Sequence, residues 1–241
     1  MSTTLDRQHR AMLNRVGELA VGDLVALWRA LPKTDTERLV AALVELVPEL
    51  AGRWGDVASV SGADYFDAVR DYYNPGGSYL AQPAPPAPVE QVQAGVRWAV
   101  DPLFSSVPDE AAALARLSTS LDRLVRQADR DTVAGNATRD RRALGYRRVA
   151  RPGACAFCLM LATREGDYSS QAAAESVGGG RRGRIRGTRT QGSRFHDHCR
   201  CFAAPVYVGW EPDADVLRAQ ELYDRAGGDV RQMRRLMADA T

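Results

Sequence analysis

The sequence predicts a mainly α protein: a helical N-terminal module, a proline-rich linker, and an α-rich domain that ends in a small α+β subdomain. Three observations carry this prediction. Apolar residues recur at three- and four-residue spacing along most of the chain, the pattern of helices with one buried face. One stretch, NPGGSYLAQPAPPAPVE, interrupts that pattern with five prolines and two glycines. All four cysteines, Cys155, Cys158, Cys199 and Cys201, fall between Arg151 and Tyr207 beside two of the three histidines. The boundaries read as 1–73 for the module, 74–88 for the linker, 89–210 for the domain with its Cys/His segment at 151–207, and 211–241 for a helical tail.

With 45% hydrophobic and 26% charged residues, the 241-residue chain can bury one large or two small cores, which excludes wholesale disorder. A formal net charge of +2 argues against a globally basic nucleic-acid binder. The basic residues are arginine except for Lys33, and alanine, glycine and valine are abundant, as a GC-rich coding sequence would give. No apolar run approaches the roughly 20 residues of a membrane span. The opening MSTTLDRQHR lacks a signal-peptide core. The expectation is a protein made in a reducing cytoplasm and away from membranes, where clustered cysteines more often bind metal than form disulfides.

Residues 4–31 read as one helix or two, on Leu13, Val16, Leu19 and Ala20 and then Leu24, Leu27 and Trp28. Pro32 closes them. Thr34 and Glu37 have capping-box spacing for a second helix with the stripe Leu39, Leu43, Leu46, Val47 and Leu50. Pro48 predicts a kink or a fresh start in it. Ser61 or Asp64 then opens a short third helix through Tyr73, carrying Tyr65, Phe66, Val69 and Tyr72. Residues 74–88 are expected to be extended, either as a linker or as a strap on a neighbouring element.

Helix resumes at Val89, with Val92, Val96 and Val100 on one face. A longer helix is predicted from Pro108 to Leu144 on Ala112, Leu114, Leu117, Leu121, Leu124, Val125 and Ala128. Its polar face, Asp122, Arg123, Arg126, Asp129, Arg130 and Asp131, mixes both signs and reads as solvated surface. Arg139, Arg141, Arg142, Arg147 and Arg148 form a basic cluster at the entrance to the cysteine segment. Beyond Tyr207, Asp213 is the expected N-cap of a helix over Ala214–Arg225, Gly227-Gly228 ends it, and Asp229–Ala238 completes the chain.

Cys155-Ala156-Phe157-Cys158 is a C-x2-C knuckle, whose tight turn can aim two thiolates at one Zn²⁺. Alone it also fits a redox pair. The second cluster, His196-x-His198-Cys199-x-Cys201, supplies nitrogen and sulfur ligands that a redox pair does not need. Six candidates exceed the four of a closed structural site. The expected ligands are four of Cys155, Cys158, His196, Cys199 and Cys201, with His198 as the alternate. Disulfides and metal-free thiols are the competing readings. Asp197 is the one acid inside the second cluster and no nucleophile–base arrangement stands out, so no catalytic residue is expected.

The C-x2-C knuckle, long loop and H-x2-C-R-C ending resemble the C-terminal signature of the phage Mu F-like minor head proteins. The matching residues are Cys155, Cys158, His196, Cys199, Arg200 and Cys201, preceded by a long helix and Tyr146-Arg147-Arg148-Val149. The resemblance covers about 90–207, and FHDHCRC is similar to forms in phages of GC-rich actinobacterial hosts. Many members carry proline where Asp197 stands, so the turn differs and His198 competes as a ligand. The resemblance implies a structural minor capsid protein of a tailed bacteriophage, not an enzyme. It places the protein inside the head near the portal, acting in head morphogenesis or genome packaging and delivery, with portal and major capsid protein as partners. The fold it completes is an α-rich domain ending in a zinc-stapled α+β subdomain. Two alternatives stay open: a capsid-maturation hydrolase using the Cys/His cluster, and a small DNA-binding protein.

The second alternative rests on GGGRRGRIRGTRTQGSR, between the two cysteine pairs. Arg181, Arg182, Arg184, Arg186, Arg189 and Arg194 lie there without an acid, a composition suited to phosphate backbones or an acidic protein lining. No aromatic residue interleaves them, so base stacking is not indicated.

Overall fold

Residues 2–163 and 201–239 are described by a computed structural model. Their elements are α1 (Ser2–Ala30), α2 (Thr36–Tyr73), α3 (Val89–Ala99), a 3₁₀ turn (Asp101–Phe104), α4 (Glu110–Arg139), β1 (Gly145–Val149), α5 (Ala156–Ala162), β2 (Phe202–Val206), α6 (Ala214–Arg225) and α7 (Val230–Ala238). The protein is mainly helical, as the periodicity indicates. Contacts divide it into two units: Arg7–Asp64 with Gln82–Thr132, and Met1–Asp6 with Tyr65–Ala81 and Val133–Thr241.

The first unit buries Leu13, Val16, Ala20, Leu24 and Trp28 of α1 with Leu39, Leu43, Val47 and Ala51 of α2 and Leu117, Leu121 and Val125 of α4. The cap of α2 is Asp35, one residue beyond the expected Thr34: its Oδ1 accepts from the Arg38 amide at 3.0 Å. The helix does not start afresh at Pro48, and no separate helix begins at Ser61 or Asp64. The buried stripe continues in four-residue steps on both sides of Pro48, so packing along one face offsets the lost backbone bond.

The polar face of α4 overturns the solvated reading. Arg126, Asp129 and Arg130 are buried. Asp129 Oδ1 lies 2.8 Å from His9 Nε2 of α1. Arg126 Nε donates to both Asp122 oxygens at 3.0 Å, and its Nη2 donates to Asn14 Oδ1 at 3.2 Å. Glycines make room for this layer. A Cβ on Gly62 would stand 2.8 Å from Asp129 Oδ1 and 3.2 Å from its carbonyl oxygen; one on Gly17 would clash with Asp122. Gly62→Val is therefore expected to lower stability by about 1–3 kcal/mol through overpacking. Gly52→Ala, in open space on the same helix, should raise it by roughly 0.5–1 kcal/mol. Urea unfolding of the two variants reads both signs.

In the second unit, β1 and β2 pair antiparallel, Gly145 opposite Val206 through Val149 opposite Phe202. Every residue of both strands is buried. The C-terminal end of α2 supplies one wall: Tyr65 meets Phe202 edge-on at 5.8 Å, Phe66 meets Tyr207 at 6.3 Å, and Tyr73 stacks on Tyr207 at 6.1 Å. The predicted helix to Leu144 stops at Arg139. Asp140 Oδ1 accepts from the Arg142 amide at 3.1 Å, which turns the chain into β1. Arg147 and Arg148 of the basic cluster at the entrance to the cysteine segment sit buried in that strand.

Hydrogen bonds hold the proline-rich stretch. Within the second unit Tyr79 Oη donates to Asn136 Oδ1 at 2.7 Å, and the Ala81 amide donates to Asp67 Oδ1 at 3.0 Å. Within the first, the Ala84 amide donates to Thr132 Oγ1 at 2.9 Å.

Candidate metal centre

The C-x2-C knuckle sits at the start of α5. Arg151–Ala154 makes a turn, with the Ala154 amide donating to the Arg151 carbonyl at 3.1 Å and Gly153 at φ 68°. Glycine serves that left-handed position at no steric cost. Cys155 is the N-cap residue of α5, in extended backbone and exposed. Cys158, three residues on, turns inward and is buried.

The strand register brings Cys201 to it. Val149 pairs with Phe202, so the next antiparallel step sets Ala150 beside Cys201. Ala154, Cys158 and Cys201 form one buried cluster, flanked by Ala150 and Leu159. Cysteines from both ends of the 164–200 stretch thus pack into one buried cluster. Among the described residues no group of three or more His, Cys, Asp or Glu gathers around a point. His196, His198 and Cys199 lie outside the described residues, as do Arg181, Arg182, Arg184, Arg186, Arg189 and Arg194.

The opposite face of α5 packs elsewhere. Ala156, Met160 and Leu161 form a second cluster with Ala226 and Met233, joined by Val230, Leu236 and Met237. α6 stands on the cap the sequence indicates, Asp213, and α7 on Asp229, which the sequence pattern places inside the helix. Asp213 Oδ1 accepts from the amides of Asp215 and Val216 at 3.0 Å, and Asp229 Oδ1 from those of Arg231 and Gln232 at 2.7 and 2.9 Å. The Gln232 and Arg231 amides hold the Asp229 carboxyl below the usual carboxylate range. Its contribution to α7 is present above the ordinary aspartate pKa of about 3.9 and is lost as pH falls below it. The protection of the α7 amides relative to their intrinsic exchange rates should fall in acid, and Asp229→Asn should flatten that dependence.

Two buried carboxylates fix the frame around the knuckle, and sequence reasoning missed both. Asp140 Oδ2 accepts from Arg70 Nε and Tyr207 Oη, each at 3.0 Å. Asp6 accepts from Tyr65 Oη at 2.6 Å and pairs with Arg147, whose guanidinium also lies 5.0 Å from the Trp210 ring. The one signal in the sequence was Asp140 standing alone among Arg139, Arg141 and Arg142; Asp6 carried none.

The profile of the VG15 protein family matches residues 2–226, nearly the whole chain. The chain belongs to that family. It is a family of phage proteins, which agrees with the phage character that the Mu F-like resemblance implied. The match also runs through the N-terminal helices that the resemblance left out, and it ends before α7. No curated protein and no solved structure gives a significant match. No helix of the described residues is long and apolar enough to cross a membrane.

Proposed function

We propose that this VG15-family phage protein is a structural, non-enzymatic minor capsid protein, held in the head near the portal and acting in head morphogenesis or genome packaging and delivery. The observation that supports it most is the joint burial of Cys158 and Cys201. Soft sulfur donors converging from two distant segments suit a closed tetrahedral Zn²⁺ site, completed by two of Cys155, His196 and Cys199, or by His198. The metal would supply a cross-link, not a reaction: it would close the 164–200 stretch and its six arginines into a loop attached to the hairpin. Buried thiols in apolar surroundings are poor nucleophiles, which favours this clasp over the hydrolase reading. Portal and major capsid protein are the proposed partners, with packaged DNA as a further contact of Arg181–Arg194.

Metal analysis of the freshly reduced full chain is expected to give about one zinc per molecule, as a closed four-ligand site requires. Cys158→Ser and Cys201→Ser should each abolish it. Metal-free protein that keeps its native circular dichroism would overturn the clasp. Antibody detection in purified heads tests the location, and a protein absent from heads but present in infected cells would overturn the capsid role.

A further inference from the structure

We infer that the exposed arginine face of α7 is a phosphate-contacting strip for double-stranded nucleic acid. Arg231, Arg234 and Arg235 are all exposed. At i, i+3 and i+4 they share one face of the helix. None of the three is in an ion pair among the described residues, whereas Arg218 on the neighbouring α6 is tied to Asp215. Between the caps Asp229 and Asp239, α7 contains no acid. Its charge therefore points outward, offset in part by the Asp229 carboxylate, which interacts electrostatically with Arg231 and Arg235.

A basic amphipathic helix has two common uses, and the packing separates them. Membrane-surface helices need their apolar face for lipid. Here Met233 is fully buried, and Val230, Leu236 and Met237 pack into the same cluster as Met160 and Leu161 of α5. What remains for a partner is the charged strip, so recognition is electrostatic. From Arg231 to Arg235 the helix rises about 6 Å, and B-DNA presents a charge every ~3.4 Å along each strand. Three guanidinium groups so placed reach two or three phosphates of any sequence, releasing counterions as they do. An acidic protein surface offers no such continuous lattice of charge. The strip lies beyond the family match at 2–226 and is separate from the arginines of 181–194.

The test is fluorescence anisotropy of the full chain with a labelled 20-base-pair duplex of arbitrary sequence, across a salt series. R231Q/R234Q/R235Q should reduce the slope of log K against log salt by about 2–3, at ~0.9 for each phosphate that is no longer neutralised. Glutamine keeps helix propensity, and an unchanged thermal melt shows that α7 stays docked. The control R218Q, which removes a paired arginine, should leave the slope where it was. An unchanged slope in the triple variant, or no duplex binding by the native chain, overturns the inference. So does loss of binding to polyglutamate or to anionic phosphatidylserine vesicles while duplex binding persists, which assigns the strip to an acidic protein or to lipid instead.

Discussion

Asp140→Ala is expected to lower the unfolding free energy by about 3–5 kcal/mol, among the largest effects of any single substitution in this chain. The side chains of Arg70 and Asp140 are each 4% exposed, so the pair is cut off from solvent. Removing the carboxylate leaves a guanidinium charge in the interior, and Arg70 Nη1 already has no hydrogen-bond partner among the described residues. The Tyr207 hydroxyl loses its acceptor in the same step. Tyr207→Phe isolates the smaller contribution and should cost about 0.5–1.5 kcal/mol. Burial, and next the Asp140 charge, push the Tyr207 phenol far above its ordinary range. Because the folded state holds that proton more tightly, the stability it gives is complete below about pH 10 and falls as pH rises past that value. Alkaline urea titrations should show this fall in the native protein and a weaker one in Tyr207→Phe. A loss under about 1 kcal/mol in Asp140→Ala would mean that water reaches Arg70.

What could be read from the sequence was set by how local the cause is. α3, α6 and α7 carry their apolar stripes and punctuation within a dozen residues, and their boundaries were legible to within about a residue. The fresh start expected at Pro48 is absent because the proline's cost is local while the compensation, a stripe packed against other helices, is tertiary. The mixed-sign face of α4 misled for a related reason. Periodicity finds apolar stripes, but His9 and Gly62, which accommodate Asp129, lie far from it in sequence. GYRRV and FAAPV show no alternation because both faces of the sheet are covered, so neither announces a strand. The cysteines stood out in the sequence as two spaced pairs. What the sequence did not show was the means by which Cys158 and Cys201 are brought together: the β1–β2 register, and Asp6, which reaches Arg147 across 141 residues of chain.

Asp6→Ala should therefore act on the buried Cys158–Cys201 cluster from a distance. Asp6 and Arg147 are 5% and 3% exposed at the side chain, and Asp6 also takes the Tyr65 hydroxyl. Losing it strands Arg147 in the middle of β1, with its Nε already lacking a partner among the described residues. The expected cost is again about 3–5 kcal/mol. The consequence is specific to the second unit: β1 sets the register that delivers Cys201 to Cys158, so Asp6→Ala should loosen that cluster. Thiol-reagent labelling of Cys158 and Cys201 in the metal-free protein should speed up in the variant, while helicity in Arg7–Asp64 and Gln82–Thr132 persists by hydrogen exchange. The pair can also be replaced as a unit. In Asp6→Leu with Arg147→Met neither charge is left buried alone, and such replacements are commonly neutral or stabilising. The double variant should then recover most of the loss and return both cysteines to slow labelling. If it labels as fast as Asp6→Ala, the ion pair itself sets the register, and apolar packing of β1 cannot substitute for it.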